Sequence, residues 1–244
     1  MFAIHAEPDL LPHAQRSLSR VDLYRPIHKA LRLYMSQLLH RVGALDHEDP
    51  EELDDTLMRT QRMLNQFAAH LAHENAFLHP AIQGATGAAD LRTARDHDDH
   101  CRAIAALRDR VLTLRTCPAQ DRAAVALCLY RELALFVADN LQHMQTEEAE
   151  NNAALWRKLD DAALHALHAR LLAHVAPEIL EDALPWFVRA LNPRELAELF
   201  SGMRATAPAP AFRAALELAR ATLDDTRFSK LARALELHPQ ALAA

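Results

Sequence analysis

Four stretches of this chain repeat apolar residues at helical spacing, each carries a histidine on its apolar stripe, and the connections between them are short. In the first, about residues 24–45, Ile27, Leu31, Met35, Leu38 and Val42 recur in three- and four-residue steps, and Asp46 to Pro50 end it. The second starts near Glu51 and carries Leu53, Leu57, Leu64, Phe67, Leu71 and Leu78 until Pro80 and the Gly84 to Gly87 segment break the pattern. The third, about residues 88–114, carries Leu91, Ile104, Leu107, Val111 and Leu114 and stops at Cys117-Pro118. The fourth, about residues 119–159, carries Val125, Leu129, Leu133, Phe136 and Leu141. Short links make consecutive helices antiparallel neighbours. The spacing therefore predicts an all-α protein built on an up-and-down antiparallel four-helix bundle.

Composition agrees. Gly occurs only 4 times in 244 residues, and Ala, Leu, Arg and Glu dominate, side chains that lose little freedom on entering a helix. No short run rich in Val, Ile and Thr alternates with polar residues, which argues against a sheet. The division expected is an irregular lead-in over residues 1–22, a bundle over 23–158 and a C-terminal helical appendage over 159–244. Pro177, Pro185, Pro193, Pro208 and Pro210 punctuate that appendage into shorter helices. Asn192-Pro193-Arg194-Glu195 reads as a helix start, with Asn as cap and Glu three residues later.

A formal charge of -6 leaves no basic stripe for nucleic acid, and no apolar run reaches the length of a membrane span. His5, Glu7 and Asp9 lie where a signal peptide needs a positive start and an unbroken apolar stretch, so a cytoplasmic protein is expected. Cys101, Cys117 and Cys128 form no CxxC pair and read as reduced thiols.

The 15 histidines carry the chemistry. His28 precedes Leu31, Met35 and Val42 by three, seven and fourteen residues and so faces inward. His70 follows Phe67 by three, His97 precedes Ile104 by seven, and His143 follows Phe136 by seven. Glu74 stands four after His70, and Glu147 four after His143, so each pair shares one helix face. Odd helices thus supply one His and even helices His-xxx-Glu, a pseudo-twofold set of four imidazoles and two carboxylates. Mixed nitrogen and oxygen donors suit iron or manganese, and zinc less obviously. Two carboxylates can bridge two ions and leave positions open for a small molecule.

A lone histidine on an apolar face is more often a satisfied core residue than a ligand. Here two buried carboxylates beside four imidazoles would cost several kcal/mol per charge without a cation. The ferritin pattern, Glu-xx-His, is absent: no Glu has a His three residues later. A zinc finger fails for want of paired cysteines.

His28, His70-xxx-Glu74, His97 and His143-xxx-Glu147, in that order, resemble the hemerythrin-like (HHE cation-binding) domain family over about residues 22–155. The segments carrying the likeness are Arg25-Pro26-Ile27-His28, the run FAAHLAHENAFLHPAI at 67–82, and Asp96-His97-Asp98-Asp99. The resemblance implies two iron ions in an oxo- or hydroxo-bridged di-iron site, with Glu74 and Glu147 bridging; zinc or manganese can occupy the same donors in vitro. It implies a small diatomic ligand or peroxide as partner: a protein that binds or senses O2, NO or peroxide, or handles iron. A di-iron redox enzyme of the peroxide, nitric oxide or iron–sulfur cluster repair kind is the alternative. A homodimer or protein partner would engage the C-terminal extension.

Departures narrow the subfamily. Oxygen carriers have a second His four residues after the third-helix His, where this chain has Cys101. Their last-helix carboxylate sits five after its His, the position of Glu148 here, and the family's usual Leu-Phe-Pro is Leu78-His79-Pro80. The four-His, two-Glu set looks like iron-cluster repair proteins and iron-sensing hemerythrin domains, without the cysteine-bearing N-terminal domain of many repair proteins. Leu184-Pro185-Trp186-Phe187, followed by Phe212, is similar to segments after the hemerythrin domains of plant iron-regulating ubiquitin ligases.

His73, His79 and His100 lie near the site in sequence; His73 and His100 are expected to point partly away from its centre, with surface roles or roles in supporting a ligand, and Cys101 to be a small buried apolar side chain. Asp98 or Asp99 is considered as a partner for the outer nitrogen of a ligand, with exposure the plainer expectation. The run Glu147-Glu148-Ala149-Glu150 beyond the site is expected to be mostly solvated, His165, His168 and His174 to be surface residues, and Trp186 and Phe187 to be packing anchors.

Overall fold

The computed structural model describes residues 10–87 and 92–237, and among them every regular element is helical. In chain order these are α1 (Leu10–Ser19), α2 (Arg25–Gly43), α3 (Pro50–His73), α4 (His79–Thr86), α5 (Arg92–Thr116), α6 (Arg122–Thr146), α7 (Asn152–Lys158), α8 (Asp161–Leu172), α9 (Pro177–Ala190), α10 (Pro193–Thr206), α11 (Ala209–Thr222) and α12 (Asp225–Ala234). The lead-in is not irregular throughout: α1 forms directly after the first residues, and residues 1–9 lie outside the described ones. None of the described helices is long and apolar enough to cross a membrane.

The bundle is α2, α3, α5 and α6, each packed on its two neighbours. Their stripes meet in one core that includes Leu31, Met35, Leu57, Phe67, Ile104, Leu107, Leu129 and Phe136. Phe67 and Phe136 cross it edge to face, with centroids 5.3 Å apart. Each such fully buried side chain contributes about 1.5–3 kcal/mol. Helix starts follow local chemistry. Asp49 accepts from the N–H groups of Glu51 and Glu52 ahead of Pro50, and Asp22 accepts from those of Tyr24 and Arg25 ahead of Pro26. Where α2 and α6 cross, Gly43 has no side chain to hold them apart, and a Cβ there would lie 2.9 Å from the Tyr130 ring.

The second and fourth long segments each contain one widened turn. Residues Glu74–Leu78 and Glu147–Asn151 are π-helical, with the N–H of His79 bonding to the Glu74 carbonyl and that of Asn152 to the Glu147 carbonyl. The first of these turns lets the helix pass Pro80, which was expected to break it: Pro80 has no N–H to give, and the chain continues as α4 with proline in its first turn. Past these turns the apolar residues face a second cluster of Tyr24, Leu78, Ile82, Ala154, Leu155, Leu164 and Leu167, which closes one end of the bundle. The backbone before α2 clamps that end. Trp156 Nε1 donates to the Val21 carbonyl at 2.8 Å, and Arg20 donates to Asp161 and to the Leu159 carbonyl.

Residues from Val188 to Leu235 build a third cluster of their own around Phe200, Ala219 and Leu231. The sequence-predicted start at Asn192 is a full capping box: Asn192 accepts from the N–H of Glu195, whose carboxylate accepts from the N–H of Asn192. This unit docks through α9, which lies against α2 and α3. Trp186 stacks on Tyr34 at 3.8 Å, and Arg189 lies over its ring. Buried Glu195 pairs with Lys29 at 2.6 Å and with Arg25 at 3.5 Å. Trp186 and Phe187 are packing residues, as anticipated, and Phe212 joins the same outer cluster.

Candidate metal centre

The widened turns begin at Glu74 and Glu147, so both carboxylates enter the bundle interior at one level, each four residues beyond a histidine. α2 brings His28 and α5 brings His97 to that level from the other two sides. All six sequence-predicted donors converge. They form two groups able to hold a cation, His28/His70/Glu74/Glu147 and Glu74/His97/His143/Glu147, which share both carboxylates.

The separations are those of donors around ions. His28 Nε2 is 3.4 Å from Glu147 and 3.9 Å from Glu74, and His70 Nε2 is 3.3 Å from Glu74. His97 Nε2 lies 3.4 Å from Glu74 and 3.6 Å from Glu147, and His143 Nε2 is 3.3 Å from Glu147. Nε2 atoms of His97 and His143 face each other at 3.0 Å. Two donors each about 2.1 Å from a common ion at right angles stand about 3.0 Å apart.

Outer partners orient three of the four rings. Each of these three imidazoles donates its Nδ1–H outward: His28 to Glu148 at 3.0 Å, His97 to the side-chain amide oxygen of Asn75 at 2.8 Å, and His143 to Asp96 at 3.3 Å. That leaves each Nε2 lone pair aimed inward, the tautomer a cation requires. Arg32 holds Glu148 in turn at 2.5 Å. Glu148 is therefore half-buried and paired rather than part of a solvated face as expected; it closes the chain Arg32–Glu148–His28.

The residues fit a bound cation by a direct test. Both oxygens of Glu74, both of Glu147 and Nε2 of His28 are buried and have no hydrogen-bond partner. Unpaired buried carboxylate oxygens are costly, and a cation removes that cost.

The electrostatics of these side chains show the same strain. Burial opposes the charged form of His28, but the carboxylate of Glu147 beside it and the hydrogen bond to Glu148 outweigh it and raise its pKa to about 9. Burial is likewise overcome at His97, by Glu147 and Glu74, with a pKa of about 9. At His70 burial wins, helped by the charge on His28, and its pKa falls well below the ordinary value. Burial and then the charge of Glu147 raise Glu74. Glu147 goes the other way, because the surrounding imidazoles of His143, His28 and His97 outweigh its burial. Protons stand in for cations in a pocket of excess negative charge.

Of the two roles expected for His100, surface or support of a ligand, the structure shows the second: it is buried, edge-on to His143 at 4.8 Å, with Nε2 2.9 Å from Asp139. Cys101 is exposed rather than buried, because His100 takes the inward position. Asp98 and Asp99 are exposed, as are His165, His168 and His174. His73 is half-buried.

Sequence reasoning missed Tyr24, Asn75 and Asp96. Tyr24 is buried 5.2 Å from the His28 ring, and burial followed by the charges of Glu147 and Glu74 pushes its hydroxyl well above the ordinary range. His79 stacks on His97 at 4.6 Å, its pKa lowered to about 4 by burial and by the charge on His97. The signal available for Glu148 was Arg32, one turn from His28 on the same helix.

A helical bundle with this buried nitrogen and oxygen donor set defines a cation-binding domain. The chain belongs to the hemerythrin HHE cation-binding domain family, whose model matches residues 19–155, more than half of the chain. No curated protein and no solved structure shows significant similarity to it.

Proposed function

We propose that the chain is a cytoplasmic non-haem di-iron protein that binds or senses a small oxidant or diatomic molecule, O2, NO or peroxide, or handles iron. In this reading His28 and His70 serve one ion, His97 and His143 the other, and Glu74 and Glu147 both. The observation that carries it is the four unpartnered carboxylate oxygens facing four inward imidazoles in a buried interior. Family membership supports a cation there, and the mixed donor set favours iron or manganese over zinc. Bound iron would supply reversible one-electron chemistry and open positions for a small ligand. The protein's own part is to hold the donors in register, fix three tautomers and exclude water. The C-terminal extension would, in this reading, report the state of the site.

Metal analysis of the purified chain tests the reading. Close to two irons per chain are expected, lost in His70→Ala/Glu74→Ala; iron content unchanged in that double variant would rule out this ligand set.

A redox enzyme is the second reading, and Tyr24 favours it. A buried hydroxyl that keeps its proton near the carboxylates can donate a hydrogen bond to a small molecule held at the site. Optical spectra of the anaerobically reduced protein after O2, NO or peroxide separate the two. A stable adduct or one slow oxidation supports sensing, whereas repeated turnover that Tyr24→Phe slows supports the enzyme.

A further inference from the structure

The two cation positions are not equivalent. Five of the six donors are sealed, with side-chain exposures of 0–4%. His70 keeps 11%, and it is the one imidazole of the four whose Nδ1 has no partner among the described residues. The position between His97 and His143 is walled on both sides by further rings, His79 on His97 and His100 on His143. Among the described residues no further ring backs His70, whose one ring contact there is His28, edge-on at 5.4 Å.

The helix face that carries His70 meets one short stretch of chain on either side of that histidine. Gln66, His70, His73 and Phe77 follow each other in steps of four, three and four along one face. Gln66 Nε2 donates to the Ile179 carbonyl at 2.8 Å, and the Phe77 ring meets the His174 ring at 4.9 Å. The chain from His174 to Ile179, which links α8 to α9, is thus tethered to this face on either side of His70, and Val175 and Ala176 within it are half-buried.

We propose that the cation held by His28 and His70 is the exchangeable one of the pair, and that ions and small molecules reach it past His70, beneath the α8–α9 connection. The His97/His143 position then stays occupied while the other opens. The extension gains a direct role: its first two helices carry the cover of the entrance. This rests on the dinuclear reading above.

Release of ferrous ion to a bipyridine chelator, followed optically without oxygen, tests it. The loaded wild-type chain is expected to lose its ions in two phases of equal amplitude. His70→Ala should retain one ion per chain and show only the slow phase. Gln66→Leu/His174→Ala, which cuts both tethers and touches no donor, should speed the fast phase severalfold and leave the slow one unchanged. Circular dichroism establishes that each variant is folded. A single phase from a two-ion wild-type chain, or a folded His70→Ala that loses both ions together, overturns the inequality. A fast phase that cutting the tethers does not alter overturns the entrance. A wild-type chain that takes up no ion overturns the dinuclear reading itself, an outcome distinct from the others.

Discussion

His28 donates its Nδ1–H to Glu148 at 3.0 Å, and the same oxygen of Glu148 accepts from Arg32 one turn further along α2. One carboxylate therefore fixes the tautomer of a donor it does not accompany on its helix. Glu148→Ala should weaken ion binding by about 10–100-fold, the usual penalty for losing such an outer partner. Glu148→Gln, whose amide oxygen can still accept from His28, should lose less. Competition against a chelator of known affinity measures both, and equal losses would show that charge rather than orientation matters.

Cation removal should destabilise the chain by exposing the repulsion between Glu74 and Glu147. A ligand at a thousand times its dissociation constant adds about 4 kcal/mol to the folded state. Thermal melts are expected to shift upward on adding ferrous or zinc ions. Glu74→Gln, which removes one buried charge, should melt higher than wild type without ions and respond less to them.

Glu195 ties the extension to α2, and acid should loosen that tie. Burial pushes its carboxyl up, but the hydrogen bond from Lys29, the N–H of Asn192 and the charges of Lys29 and Arg25 hold it below the ordinary glutamate value. A carboxyl whose folded pKa lies below its unfolded one stabilises fully above the unfolded value, near 4.5, and loses that contribution as pH falls through the folded value. Wild type should therefore lose stability below about pH 4.5 more steeply than Glu195→Gln, an effect of about 1 kcal/mol. Urea melts at pH 7 and below 4 check it; parallel losses in the two proteins would count against the pair.

Trp186 stacks on Tyr34 and is the main aromatic contact between α9 and the bundle. Trp186→Ala should cost about 2–3 kcal/mol, below the range for a fully buried ring because this one is half-exposed. Hydrogen exchange should quicken in α9 before α5 or α6. Uniform quickening would mean that bundle and extension unfold as one.

The fold was legible because its signals are local. Stripes at Ile27 to Val42 and Leu53 to Leu71, proline after a capping aspartate, and the Asn192 box each specify a helix without reference to anything distant. The six donors were legible for the same reason, since i,i+4 spacing and stripe membership are helix properties. What escaped depends on contacts between helices. Asn75 and Asp96 matter only because α3, α5 and α6 bring them beside His97 and His143. Which of His100 and Cys101 faces inward is a difference of one position, about 100° around a helix, and depends on where α5 is rotated against α6. Pro80 misled because a proline stops a regular helix but not one that widens ahead of it.

Both widened turns fall where their helices leave one apolar cluster for another: Leu71 and Met144 belong to the bundle core, Leu78 and Leu155 to the end cluster. A surplus residue at each glutamate advances everything downstream by roughly a quarter revolution. Shortening residues 148–151 by one would spare every donor, yet it would swing Leu155 off its seat and drag Glu147 out of line. Selection on the carboxylates and selection on the closing end of the barrel of helices are thereby yoked, and neither half can drift alone.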